Sequence, residues 1–228
     1  GDLGYSMSAR MPVADVVSAR LPWTLLLMGG GLLLGFAVSI PLAVVAARRP
    51  GRLVSRMLDM VMWVVSAVPP FLIGLGLIAV FSLSLRALPA GGISTPGMPG
   101  GIADTVRHLI LPVLTLAYIS WATLLRVTRS SMLETLRQDY VTFAQAKGLH
   151  PRRVLYRHAL KNALIPTVTV AALEVGSLLG GSMIVETVFG WPGLGRVVVE
   201  SIFTRNYPMI QAAILLYAVT YVLLNFLA

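Results

Sequence analysis

The stretch LPWTLLLMGGGLLLGFAVSIPLAVVAA, residues 21–47, runs for 27 residues without a charged side chain. An α-helix rises 1.5 Å per residue, so about 20 apolar residues suffice to cross a bilayer core about 30 Å thick. Working outward, the pattern recurs. Residues 60–85 give 26 charge-free positions, residues 108–125 give 18 and residues 207–228 give 22. Residues 162–185 hold one charge, Glu174, in 24 positions. The sequence predicts an all-α, polytopic transmembrane bundle with five visible spans. They fall near 21–47, 58–85, 107–128, 160–186 and 207–228, after an external segment 1–20. Composition agrees: 57% of the residues are hydrophobic, 12% are charged, and the mean hydropathy is +0.82. Soluble domains run near 45–50% and about 25%. A water-soluble globule and a disordered tail are both excluded.

The net charge of +9 is unevenly placed. Arg48, Arg49, Arg52 and Arg56 lie between the first two spans. Arg126, Arg129, Arg137, Lys147, Arg152, Arg153, Arg157 and Lys161 lie between the third and fourth. These two loops hold 12 of the 18 cations. Cytoplasmic loops carry such an excess of Lys and Arg, so 48–56 and 126–161 are expected inside, with 86–107 and 186–206 outside. Nucleic acid is excluded as a partner, because exposed aromatics are not interleaved with the basic run. The first span then enters from outside, and the last stops at Ala228 with no cation to mark its inner end. A further span before Gly1 and a tail after Ala228 are expected.

Cysteine is absent, which excludes disulfides and zinc–sulfur sites. His108, His150 and His158 lack metal-ligand spacing and read as interfacial or solvated, so no metal site is expected. No G-x-x-x-x-G-K-[ST] occurs, so this chain binds no ATP through a P-loop. Gly29-Gly30-Gly31 and Gly31-x-x-x-Gly35 suit close helix approach. Pro69-Pro70 interrupts the second span, Pro112 lies near the start of the third, and Pro166 removes a bond to the Asn162 carbonyl. The backbone groups so freed need neighbours or a wet cavity. Glu174 is an ionisable group at membrane depth, read as lining a path or as making a structural hydrogen bond. With Ser177, Ser182, Pro69 and Pro70 it forms the candidate translocation path. Glu186 is expected at the interface. It precedes a turn-rich external loop in which Phe189, Trp191, Pro192 and Gly193 are singled out with it.

Between the third and fourth spans, residues 139–157 read as helix, tight turn, helix. Asp139 can cap the first helix. Gly148 suits the left-handed position after its end, with Leu149 for the accompanying hydrophobic contact. Pro151 suits the first position of the second helix. The candidate elbow comprises Asp139, Tyr140, Ala144, Ala146, Lys147, Gly148, Leu149, Pro151 and Arg152, a rigid basic knob fit for a partner's groove.

Ala144-x-Ala146-Lys147-Gly148-Leu149, followed by Arg157-His158-Ala159-Leu160-Lys161-Asn162-Ala163-Leu164-Ile165-Pro166, resembles the EAA loop of binding-protein-dependent ABC importer permeases. Residues 185–195, from Val185-Glu186 through Phe189-Gly190-Trp191-Pro192-Gly193-Leu194-Gly195, and Gly1-Asp2-Leu3-Gly4 resemble the dipeptide/oligopeptide/nickel branch. Thr142 and Phe143 stand where the general pattern has Glu-Ala, a departure common in that branch, and Gln145 stands where an arginine is usual. The resemblance implies the type I ABC importer permease class with six spans, five of them visible, in a prokaryotic cytoplasmic (inner) membrane. It implies a transport subunit rather than an enzyme, the B-type of a pair, passing di- or oligopeptides by alternating access. The implied partners are a second homologous permease subunit, two cytoplasmic ABC ATPase subunits, an external peptide-binding protein and membrane lipid. ATP and Mg would be bound by the ATPases, with no cofactor in this chain. The elbow around Gly148 would couple the ATPases to the spans. Nickel or another small solute is the alternative cargo. A secondary transporter would need more spans, internal repeats and further ion-coupling carboxylates. A membrane enzyme would need a polar constellation at one depth, and none is present.

Overall fold

A computed structural model describes residues 3–48, 53–97 and 100–227. Gly1, Asp2, Arg49, Arg52 and Ala228, which figure in the readings above, lie outside the described residues. A two-residue hairpin pairs β1 (Tyr5–Ser6) with β2 (Met11–Pro12). Then come α1 (Val13–Arg48), α2 (Leu53–Ala67), α3 (Pro70–Leu77) with a wider π turn at Ile78–Ser84, and α4 (Ile102–Thr135). The elbow carries α5 (Asp139–Ala146) and α6 (Pro151–Arg153). A second π turn, Val154–Leu160, leads into α7 (Lys161–Val188), followed by α8 (Leu194–Phe203) and α9 (Tyr207–Leu227).

Three helices form the centre. α1 and α4 pack in parallel, and small residues set their distance. A Cβ on Gly31 would stand 3.1 Å from Leu116, and one on Gly35 would stand 2.9 Å from the Ser120 hydroxyl. Lipid is as apolar as leucine, so such close contact, rather than water exclusion, drives helix association in a bilayer. Buried hydroxyls add to it. Ser39 Oγ lies 2.9 Å from the Trp121 carbonyl, and Thr128 and Thr167 pair at 3.1 Å between α4 and α7. The core of Leu27, Leu111, Leu116, Leu178 and Val185 fills the space between α1, α4 and α7.

The spans differ from the sequence reading in three ways. α1, α4 and the continuous helix Pro151–Val188 are 36, 34 and 38 residues long, so they extend past the apolar runs that signalled them. The expected second span 58–85 is broken: its two halves meet at 98°. Pro69 and Pro70 both lack N–H groups, and Pro69, itself preceding a proline, takes ψ of 138°. Finally, the outward segment 186–206, for which no helix was expected, carries α8 over about half of it. Its buried Leu194, Val198 and Ser201 fit helical spacing, and it packs beside α1 and α9 through Val13, Val16 and Met209.

Candidate functional site

Two constructions stand at opposite ends of the bundle. At the basic end, α5 closes with Lys147, then Gly148 at φ +76°. The Gly148 N–H donates to the Gln145 carbonyl (2.9 Å) and the Leu149 N–H to Ala144 (3.4 Å). These are the two bonds that satisfy the orphan carbonyls of a helix ending in the left-handed region. Leu149 packs on Val141, Ala144 and Val154, a small core of the elbow's own. The N-cap is Gln138, with no side-chain bond, so Asp139 sits one position inside the helix and does not cap it. Its carboxylate still lies where the helix dipole favours an anion. Pro151 opens the next helix, and His150 caps it by accepting from the Arg152 N–H at 3.3 Å.

The elbow is fastened to the long helix that follows. Asn162 Nδ2 donates to the Tyr140 hydroxyl at 2.6 Å and to the His158 carbonyl at 3.2 Å. Tyr140 donates in turn to the His158 carbonyl at 3.4 Å. A side-chain network thus serves a carbonyl within the π turn. Ala146, Lys147, Gly148, Pro151 and Arg152 are exposed, as is Phe143, whose ring carries the Lys147 ammonium 4.5 Å above it.

At the opposite end, two residues before α7 ends, Glu186 is wholly buried. Its Oε1 accepts from the Thr24 hydroxyl at 2.7 Å and its Oε2 from the Arg196 N–H at 2.9 Å, with the Gly195 N–H also bonded. Thr24 accepts from the Leu194 N–H at 2.8 Å. The first N–H groups of α8 are therefore satisfied by one carboxylate and one hydroxyl. A Cβ on Gly193 would overlap that carboxylate. Around it, Trp191 packs edge-on against Trp23 at 5.9 Å and donates its indole N–H to the Trp23 carbonyl at 3.1 Å. The Phe189 carbonyl takes the Gly92 N–H at 2.8 Å, and the Pro192 carbonyl takes Arg20 Nη1 at 3.3 Å. Glu186, Phe189, Trp191, Pro192 and Gly193 form one folded clasp rather than a loose loop. His108 is likewise buried, 3% exposed rather than solvated, with Nδ1 at 2.9 Å from the Gly91 carbonyl.

Of the path residues, Glu174 is half-buried and takes a hydrogen bond from the Thr123 hydroxyl of α4. Ser177, one turn on, is exposed, along with Leu173 and Gly180 on the same face of α7. Ser182 is wholly buried and bonds the Leu179 carbonyl at 2.9 Å, so it lines no path. Pro69 is exposed at the bend and Pro70 is half-buried.

Residues 39–228 match the family described as "Binding-protein-dependent transport system inner membrane component". The chain belongs to this family. It is 43% identical over 229 residues to the oligopeptide transport system permease protein AppB of Bacillus subtilis (strain 168), covering 100% of this chain and 72% of that protein. It is 42% identical over 231 residues to the glutathione transport system permease protein GsiC of Escherichia coli (strain K12), covering 99% and 70%. Its fold matches an inward-facing MetNI methionine ABC transporter structure with a TM-score of 0.73 at 16% identity, covering 93% of each chain. The expected class is borne out: a multi-pass permease of the cytoplasmic membrane with the type I ABC importer fold.

Several residues of this permease escaped the sequence reading. The Tyr118 hydroxyl donates to the Val65 carbonyl and lies 3.0 Å from that of Val68, serving the backbone that Pro69 and Pro70 leave open. Asp59 pairs with Arg129, which also donates to Ser55 Oγ at 2.7 Å. Thr24 and Arg196 complete the clasp. Only a tyrosine inside an apolar run and a lone acid at a span's edge hinted at any of them.

Proposed function

We propose that this permease forms, with a second homologous subunit, the path by which an ATP-driven importer takes in di- or oligopeptides delivered by an external binding protein. The elbow carries the reading. It is a small ordered unit with its own core, and it continues without a break through Pro151–Val188, 38 residues of helix. A knob attached to a rod that long can turn the closure of a cytoplasmic ATPase pair into tilting of the spans. Phe143, Lys147 and Gly148 present the exposed surface that would enter the ATPase groove. ATP and Mg belong to those partners. The cargo reading is supported by the names of the relatives, one an oligopeptide and one a glutathione permease. Glutathione is itself a tripeptide. With its partners in proteoliposomes, the permease is expected to take up labelled di- or tripeptides only when ATP and the binding protein are present. Uptake of nickel ions without any peptide would replace the cargo class.

The basic end faces the cytoplasm in this reading, and the clasp faces outward. In this cysteine-free chain, Ser94→Cys and Gln145→Cys, both at exposed positions, should label oppositely. An impermeant maleimide given to cells with a permeable outer barrier is expected to reach position 94 alone. Modification of position 145 from outside would reverse the orientation.

The α2–α3 bend, α4 and the exposed face of α7 line the path, with Glu174 and Ser177 on it. Glu174→Gln retains an acceptor for Thr123 but removes the charge. The complex is expected to assemble normally while the KM or the uptake rate shifts about fivefold, the difference between a charged and a neutral hydrogen bond. Unchanged transport in this variant, together with loss of folded complex in Glu174→Leu, would make the residue a structural bond to α4.

A further inference from the structure

Asp59 immediately precedes the charge-free run 60–85, and Arg126 immediately follows the run 108–125. Both helices therefore leave the apolar layer at one level, the depth of lipid headgroups at the basic end. At that level a cleft of about 290 Å³ opens between α2 and α4, lined by Asp59, Met62, Trp63, Arg126, Arg129 and Ser130. Its charges do not cancel, since two guanidinium groups face one carboxylate. Arg129 spends Nη1 on Asp59 and Nη2 on Ser55, while its Nε is buried without an acceptor among the described residues. Arg126 is exposed and makes no hydrogen bond or ion pair among the described residues. One wall of the cleft is apolar and open. Trp63 is 75% exposed, with Met60 and Val64 exposed beside it. Tryptophan at such a level is characteristic of the membrane interface.

We propose that this cleft binds the headgroup of an anionic phospholipid. Its phosphate diester would sit on the exposed guanidinium of Arg126, beside the Arg129–Asp59 pair, with its acyl chains running down past Met60, Trp63 and Val64. A guanidinium fork matches two phosphate oxygens, and basic pockets between helix ends are where headgroups of this kind are held. The apolar wall favours a lipid over a free anion, which would leave Trp63 and its neighbours unused. The bound lipid bridges Arg126 of α4 to the apolar face of α2 and so braces α2 just before its bend at Pro69-Pro70. The proposal is independent of the cargo.

The test is native mass spectrometry of the whole importer, released from membranes containing equal phosphatidylglycerol and phosphatidylcholine. Retention of phosphatidylglycerol is expected in the wild type. It should fall about fivefold in Arg126→Gln, as expected for one cation at an anionic surface. Arg153→Gln, which removes an exposed cation outside the cleft, should retain it fully. Arg126 bonds to nothing among the described residues, so its variant should assemble, and co-purifying ATPase activity reports whether it does. Equal retention in Arg126→Gln would overturn the proposal. So would absence of the lipid from the wild type, or its displacement by millimolar inorganic phosphate, which would assign the cleft to a soluble anion.

Discussion

Gly148→Val is expected to abolish coupled transport while leaving the permease inserted and assembled. Gly148 has φ of +76°, and a Cβ built on it meets nothing within 4 Å. The penalty is therefore conformational rather than a clash. An ordinary L-residue costs roughly 1–2 kcal/mol in the left-handed region, and a β-branched one is a genuine outlier there. That cost falls on a unit with little to offset it, since the elbow's own core is Val141, Ala144 and Val154 with Leu149 and Leu136 at its edge. Rotating the turn out of the left-handed region breaks the Gly148–Gln145 and Leu149–Ala144 bonds together and withdraws Leu149. The spans keep their contacts, because the cores around Leu116 and Met132 are formed elsewhere. Substrate-stimulated ATPase activity in the reconstituted complex should fall at least tenfold, the equivalent of about 1.4 kcal/mol. Gly148→Asn should retain most of it, because asparagine tolerates this conformation. Near-normal stimulation in the valine variant would sink the coupling role of the turn.

How much of this was legible in the sequence depends on the distance over which each feature is determined. The elbow's turn was readable because glycine and proline rules act within a few residues: Gly148 and Pro151 stand where the sequence puts them. Asp139 was misplaced by one position, the usual error at a helix start. The spans were readable because bilayer thickness sets a length, although α1 and α4 run beyond their apolar runs. The Pro69-Pro70 pair announced a break but not its 98° angle. That break is shaped partly by Tyr118, 50 residues from Val68. The burial of Glu186 was hidden for the same reason. A carboxylate near the end of an apolar helix is ordinarily wet, and the hydroxyl that keeps it dry is 162 positions away in α1. Ser182 lies five residues from Ser177, which turns it to the packed side of α7 while Ser177 stays open. α8 was hidden because Gly190 and Gly193 before it and Gly195 in its first turn make its start read as part of a turn.

Glu186→Leu is expected to destabilise the permease by about 3–5 kcal/mol, the combined cost of leaving up to three donors unsatisfied at about 1–3 kcal/mol each. The reason lies in what would be left behind. The Thr24 hydroxyl and the Gly195 and Arg196 N–H groups all donate to this carboxylate, which is itself wholly buried. A leucine fills the volume and satisfies none of them, so up to three donors are orphaned at the start of one short helix. Glu186→Gln keeps one acceptor oxygen but turns an NH₂ group toward a donor, so its loss should be smaller, near 1–3 kcal/mol. Thr24→Val should fall between them, because it breaks the link to Glu186 and also frees the Leu194 N–H, while the carboxylate keeps its two α8 donors. The order Leu, Val, Gln in falling severity is the signature of a satisfied network, since a purely volumetric site would tolerate leucine best. Thermal unfolding of the purified complex in detergent measures it, with the yield of monodisperse complex as a second readout. A leucine variant that melts with the wild type would show that α8 is held by Trp191, Val198 and Met209 alone. The carboxylate would then be a passenger in the clasp rather than the residue that closes it.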